Sequence, residues 1–302
     1  MIPTIYSKSA LYPAQMEHSL NKGSDGLEIQ LLNELCNEKG VLEMNEVFDI
    51  ENIKKDKIKV IHTPFEFLKH SFTIEHFIMN SDFRAMLRDI CKFANSCSNG
   101  ERVAVLMHSG MPLDYLNYTG ILPKILLCVD TLLEQFPNIN IVIENCCVLN
   151  NHVGNQIECF GNVFEAAILA DEIRGTLCTD RVGSVLDVCH AGISCQTLDV
   201  MWNAYRPDLN PKFCLEDFFS KFANSCQLIH LADFKGTGIG SENHGISFTD
   251  ETKEKCFQCL DLYHKYNYNC PITLEIAEED YMDRKGLAQT LSIVKEYYNG
   301  GN

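Results

Sequence analysis

The chain has 302 residues, 46% hydrophobic and 22% charged, and 25 Lys plus Arg stand against 41 Asp plus Glu for a net charge of −16. That content suffices for a folded core, and the acidic balance speaks against a broad basic face for nucleic acid. No stretch is apolar enough to span a membrane, the N-terminus shows no signal-peptide pattern, and 15 cysteines without one read as reduced thiols of a cytoplasmic protein.

Thr4–Ser7 reads as a short first strand and 10–20 as a helix. Gly26–Leu32 reads as the second strand, followed by a polar stretch over 33–56 with a turn at Asn37–Gly40. The third strand, Lys57–Phe65, carries His62, and Pro64 takes the chain out of the sheet. Residues 81–97 place apolar side chains at helical spacing. Arg102–Gly110 is a strand ending in His108, and a helix over 121–136 stops at Pro137. Ile139–Asn145 is a strand ending in Glu144, and 163–174 is helical.

The stretch Val182–Ala191 is an apolar run that finishes in Asp187 and His190. Buried strands rarely end in titratable groups, because desolvating them is costly unless something pairs with them. Helical pieces over 197–223 are broken at 207–211 and contain the one tryptophan, Trp202. Gln227–Asp233 is a strand carrying His230, followed by a Gly-rich loop over 235–244 that holds Glu242 and His244. A helix over 252–265 contains Cys256 and Cys259, whose spacing lacks the second pair a zinc knuckle needs. The last strand, Pro271–Ala277, carries Glu275, and 285–298 closes the chain as a helix.

Eight strands alternating with helices imply a parallel α/β architecture, and eight units in this length fit a single (β/α)8 TIM barrel over residues 1–302. No glycine fingerprint follows the first strand, which disfavours a dinucleotide-binding sheet. In a barrel the carboxyl ends of all strands meet on one face. His62, His108, Glu144, Asp187, His190, His230 and Glu275 would therefore share one rim. Each alone is explained as a hydrogen-bonded strand-end group. Together they are a set of metal-ligand types without Cys, which suits Zn²⁺, Mn²⁺ or another borderline divalent ion.

These motifs resemble the xylose-isomerase-like barrel superfamily, which contains sugar isomerases, sugar epimerases and endonuclease IV. The four-ligand core of the isomerases and epimerases falls, by that resemblance, on Glu144, Asp187, His230 and Glu275. The endonuclease IV set for up to three zinc ions is similar to His62 in Val-Ile-His-Thr-Pro, His108 in Met-His-Ser-Gly, Glu144 in Ile-Glu-Asn, and Asp187 and His190 in Asp-Val-Cys-His-Ala. It continues with His230 in His-Leu-Ala-Asp-Phe-Lys-Gly, Glu242 and His244 in Gly-Ser-Glu-Asn-His, and Glu275 in Leu-Glu. The chain departs from that branch at Glu242-Asn243-His244, at Ser109 and at Ile246-Ser247-Phe248, and it lacks the aromatic DNA-facing loop after the third strand.

The resemblance implies a metal-dependent enzyme. In the hydrolase reading a metal-activated hydroxide attacks a small phosphoester or damaged DNA, and Glu144 bridges two ions. In the isomerase or epimerase reading Glu144 and Glu275 move a proton on and off carbon while His190 orients the sugar. A metal-binding barrel without catalysis is the third class. His62 and His108 have no duty in the sugar scheme, so the sequence favours the hydrolase.

Overall fold

The computed structural model describes residues 2–31, 53–64, 66–67, 70–71, 73–109, 115–148, 163–205, 212–237 and 243–300. Among these, eight parallel strands close into a barrel: β1 (Ile5–Ala10), β2 (Gly26–Gln30), β3 (Ile58–His62), β4 (Val103–His108), β5 (Ile139–Glu144), β6 (Val182–Asp187), β7 (Cys226–Leu231) and β8 (Ile272–Leu274). The strands follow one another around the wall and β1 closes it against β8, with Ser7 beside Leu274. The expected turn at Asn37–Gly40 and the break at 207–211 lie outside the described residues.

Strand periodicity explains both faces of this wall. Ile139, Ile141 and Ile143 of β5 point outward into the large core beneath the helices, whereas Val142 points inward. Val60, Leu106, Val142, Val185 and Leu228, one from each of five strands, form an apolar plug inside the barrel, with Tyr6 and Ala104 packed against it. A residue two positions further along a strand faces the same way. The residues two beyond the plug are His62, His108, Glu144, Asp187 and His230. The same step from Tyr6 reaches Lys8. The plug thus forms the floor and these polar side chains the layer above it.

The surrounding helices are α1 (Pro13–Asn21), α2 (Ser81–Cys97), α3 (Tyr115–Gln135), α4 (Glu165–Leu177), α5 (Val188–Tyr205), α6 (Leu215–Phe222), α7 (Lys253–Lys265) and α8 (Lys285–Gly300). Asn80 caps α2 by accepting from the backbone N–H of Asp82 and Phe83 at 2.8 and 3.4 Å, worth about 1 kcal/mol in typical cases. The sequence places the start of α3 at residue 121; the helix begins at Tyr115 and carries Pro123 inside. A proline there forfeits one ladder hydrogen bond. Burial of Ile125, Val129, Leu132 and Leu133 holds the helix despite that loss.

Two short antiparallel pairs were not expected. Glu66–Phe67 pairs with His70–Ser71 just after β3. Asp233–Lys235 pairs antiparallel with Asn243–Ile246, where the sequence suggested only a loop. Gly245 makes that pairing fit: its φ is +73°, and a Cβ would lie 3.1 Å from the Glu275 carbonyl. Its own carbonyl accepts from the Ala277 N–H at 2.7 Å. The pair is thereby fastened beside β8 with His244 at the rim. No disulfide forms among the described cysteines, and Cys256 and Cys259 are buried on α7. No described helix is long and apolar enough to cross a membrane.

Candidate metal centre

Two donor groups meet at the carboxyl ends of the strands: Glu144, Asp187, His230 and Glu275 in one, His62, His108 and Glu144 in the other. Glu144 belongs to both because its two oxygens face opposite ways. Oε1 lies 3.1 Å from His230 Nδ1, while Oε2 lies 3.2 Å from Nε2 of both His62 and His108. Buried by the strands on either side, this carboxylate can join two positive centres.

The partners of each ligand fix which atom is offered. Asp187 Oδ1 accepts the His190 N–H at 2.6 Å and so caps α5, leaving Oδ2 toward the core, 3.7 Å from His230 Nδ1. Asp187 thus caps the helix with one oxygen and keeps the other among the core group's candidate donors. Asn145 holds the same turn, its amide donating to the Asp187 carbonyl and its Oδ1 accepting the Asp187 N–H. His190 therefore sits on the first turn of α5 rather than on the strand. Its Nδ1–H donates to the Asn145 carbonyl at 2.8 Å, and although burial works against the imidazolium, Asp187, Glu144 and Glu275 raise its pKa above the ordinary histidine value. Gly192 lets α5 approach the short strand Asp233–Lys235 beyond β7, since a Cβ there would lie 2.0 Å from the Phe234 ring.

His230 is held between Glu28 and the core. Nε2–H donates to Glu28 Oε2 at 2.9 Å, and Nδ1 stands 2.7 Å from Glu275 Oε2. A carboxylate on the far nitrogen of an imidazole fixes its tautomer and raises the basicity of the near one, the arrangement found behind metal-bound histidines. His62 Nδ1–H donates to the Thr63 carbonyl at 2.6 Å, so Nε2 presents a lone pair to Glu144 Oε2. Burial, with the charge of Lys8, pulls the His62 pKa down and keeps this ring neutral. Two acceptors then face each other in a buried place, which is unfavourable without a cation between them.

The fit to a divalent ion rests on such oxygens. Glu144 Oε2 and Glu275 Oε2 are buried without a hydrogen-bond partner, each beside imidazole nitrogens. Nitrogen and carboxylate donors without sulfur are the set borderline divalent ions prefer. The residues fit the group.

Lys8 and Glu28 belong to this site and escaped the sequence reading. Lys8 Nζ lies 2.5 Å from Glu275 Oε1 and 3.8 Å from Glu28 Oε1. Burial works against its ammonium, but Glu275, Glu28 and Glu144 together hold its pKa above the ordinary lysine value. Burial likewise pushes the Glu144 and Glu275 carboxyls up. His230 and His108 around Glu144, and Lys8 and His230 around Glu275, outweigh it and hold both well below the usual carboxylate range. The His190 and His244 rings lie 5.5 Å apart at the mouth. Glu242, expected beside them, lies outside the described residues.

The charges also predict a pH effect. Burial disfavours the His230 imidazolium, yet Glu28, Glu144 and Glu275 raise its pKa well above the ordinary value. An ion taking Nδ1 must displace a proton, so ion affinity falls as pH drops below that raised pKa and at neutral pH binding releases a proton. Calorimetry of Mn²⁺ or Zn²⁺ binding in two buffers of different ionisation enthalpy measures the release. Identical apparent enthalpies in both buffers would refute it.

No family model matches the chain, and no curated protein matches it in sequence. Solved structures do match. A D-tagatose 3-epimerase-like protein aligns with 98% of this chain and 97% of its own at 16% identity, TM-score 0.57. The 3-keto-D-glucoside 4-epimerase of E. coli aligns over 97% and 99% at 13% identity, TM-score 0.54. A xylose isomerase domain protein from Planctomyces limnophilus aligns over 99% and 97% at 11% identity, TM-score 0.57. The chain has the fold of the xylose-isomerase-like barrels.

Proposed function

We propose that this protein is a divalent-metal-dependent sugar epimerase or isomerase, with Glu144, Asp187, His230 and Glu275 as the ligands of its core ion. One observation carries this reading: a buried three-carboxylate, one-imidazole group at the mouth of a barrel whose neighbours in fold are named for sugar epimerisation and isomerisation. It reverses the preference for the hydrolase drawn from the sequence alone.

A bound divalent ion supplies Lewis acidity toward adjacent sugar oxygens, which acidifies the hydrogen on the neighbouring carbon. The chain's own groups then divide the work. Asp187 spends its second oxygen on the α5 cap and is left as a ligand. Glu144 and Glu275 each keep a second oxygen directed away from the core group, Oε2 and Oε1 respectively. Those two carboxylates take the proton from carbon and return it. His190 forms a hydrogen bond to a sugar hydroxyl through Nε2 and so orients the substrate.

The second reading, a zinc-dependent phosphoester hydrolase, is favoured by the paired Nε2 atoms of His62 and His108 on Glu144 Oε2. In that reading small phosphoesters or damaged DNA are the substrates, and His190, Glu242 and His244 would hold a third ion. The deciding experiment incubates Mn²⁺- or Zn²⁺-loaded protein with a panel of ketoses in D₂O, and in parallel with an abasic-site oligonucleotide. Deuterium entering at carbon with epimerisation is the expected result; cleaved oligonucleotide with inert ketoses would overturn it.

A further inference from the structure

Lys8 sets its ammonium against Glu275 and 3.8 Å from Glu28, in the field of Glu144 as well, beside the four-residue donor group of Glu144, Asp187, His230 and Glu275. Its side chain is 16% exposed and its Nζ sits on Glu275 Oε1, while Glu275 Oε2 turns to His230. The lysine cannot withdraw far. β1 is paired on both sides, with Lys8 opposite Glu28 and Ser7 opposite Leu274. The Lys8 carbonyl further accepts from Arg284 Nη1 at 3.0 Å, and that arginine is buried against the loop after β8.

We propose that Lys8 is the built-in competitor of the core ion, a positioning residue that splits the oxygens of Glu275 and keeps divalent-ion binding weak enough to exchange. The inference rests on the reading that the four-ligand group holds an ion. Two effects oppose each other at this position. By pinning Glu275 Oε1, the ammonium prepares Oε2 as a ligand; ordering one glutamate side chain is worth a factor of roughly 10 to 30. By standing one carboxylate away from a divalent cation, the same ammonium repels it. Like charges that close, shielded from water, cost more than that factor even at an effective dielectric of about 20. Repulsion wins, so the charge weakens ion binding although its geometry assists it. The four carboxylates meanwhile need a counter-charge when no ion is bound, and Lys8 supplies it.

The test is Lys8→Met, which removes the charge and keeps the length, beside Lys8→Arg, which keeps the charge. Loaded proteins are taken through a chelator-buffered series of free Mn²⁺, and bound metal is measured at each step, so the result does not depend on a folded ion-free variant. Lys8→Met is expected to bind Mn²⁺ at least about ten-fold more tightly than wild type, and Lys8→Arg within about three-fold of wild type. The melting temperature after chelation should fall in Lys8→Met relative to wild type. Affinity that is unchanged or weaker in Lys8→Met, or tighter in both variants, overturns the role assigned to Lys8 alone. A wild-type chain that takes up no Mn²⁺ or Zn²⁺ overturns the metal reading and this inference with it.

Discussion

Glu144→Gln is expected to empty the core site and to lower turnover by about three orders of magnitude or more, in line with the loss of a charge-bearing ligand. Among the described residues, Glu144 alone belongs to both donor groups, Oε1 toward His230 and Oε2 toward His62 and His108. A glutamine keeps the size but turns one of those oxygens into an N–H donor and removes the charge. Whichever way the amide turns, one group loses its ligand: an N–H toward His230 spoils the core, and an N–H toward His62 and His108 spoils the pair. In the epimerase reading the variant also loses a proton carrier. Metal analysis after equilibration with Mn²⁺, together with deuterium exchange on the substrate found active for wild type, reads both losses. Full metal content with turnover within ten-fold of wild type would show that Glu144 is neither bridge nor base.

The barrel was legible in the sequence because a buried parallel strand is an apolar run and the runs recur with helices between them. The rim cluster was legible because a polar group closing such a run is expensive to bury alone. Asp187 shows why one residue cannot be argued in isolation, since its helix-capping oxygen and its core-facing oxygen satisfy both explanations at once. Lys8 and Glu28 were missed for a specific reason. Lys8 lies one residue past the expected end of the first strand, and Glu28 lies within the second rather than at its end, where the other polar groups stand. Alternation would have found them: Leu27 and Ile29 face the helices, so Glu28 must face the barrel. The pairing of Asp233–Lys235 with Asn243–Ile246 was missed because it sets Gly245 against the backbone of Glu275 and Ala277 just after β8, a contact about 30 residues away in sequence that local composition does not encode.

His108→Ala separates the two mechanisms. His108 ends β4, where its Cα registers with that of Glu144, and its Nε2 reaches Glu144 Oε2 at 3.2 Å. It contacts the second donor group and none of Asp187, His230 or Glu275 in the first. In the epimerase reading the core ion keeps all four ligands, so the alanine variant retains one equivalent of metal. Its defect is then confined to the pocket wall, a raised KM with kcat changed by less than about ten-fold. In the hydrolase reading His108 and His62 are the main ligands of a second ion, so the variant loses about one metal equivalent and several orders of magnitude in rate. The edge-on packing of the His62 and His108 rings, with centroids 4.9 Å apart, tells against a repair by the remaining imidazole. His62 cannot move toward the gap without giving up its 2.6 Å bond to the Thr63 carbonyl. The epimerase reading therefore expects unchanged metal content in His108→Ala. A loss of one equivalent, accompanied by phosphoester cleavage in wild type, would move the assignment to the hydrolase.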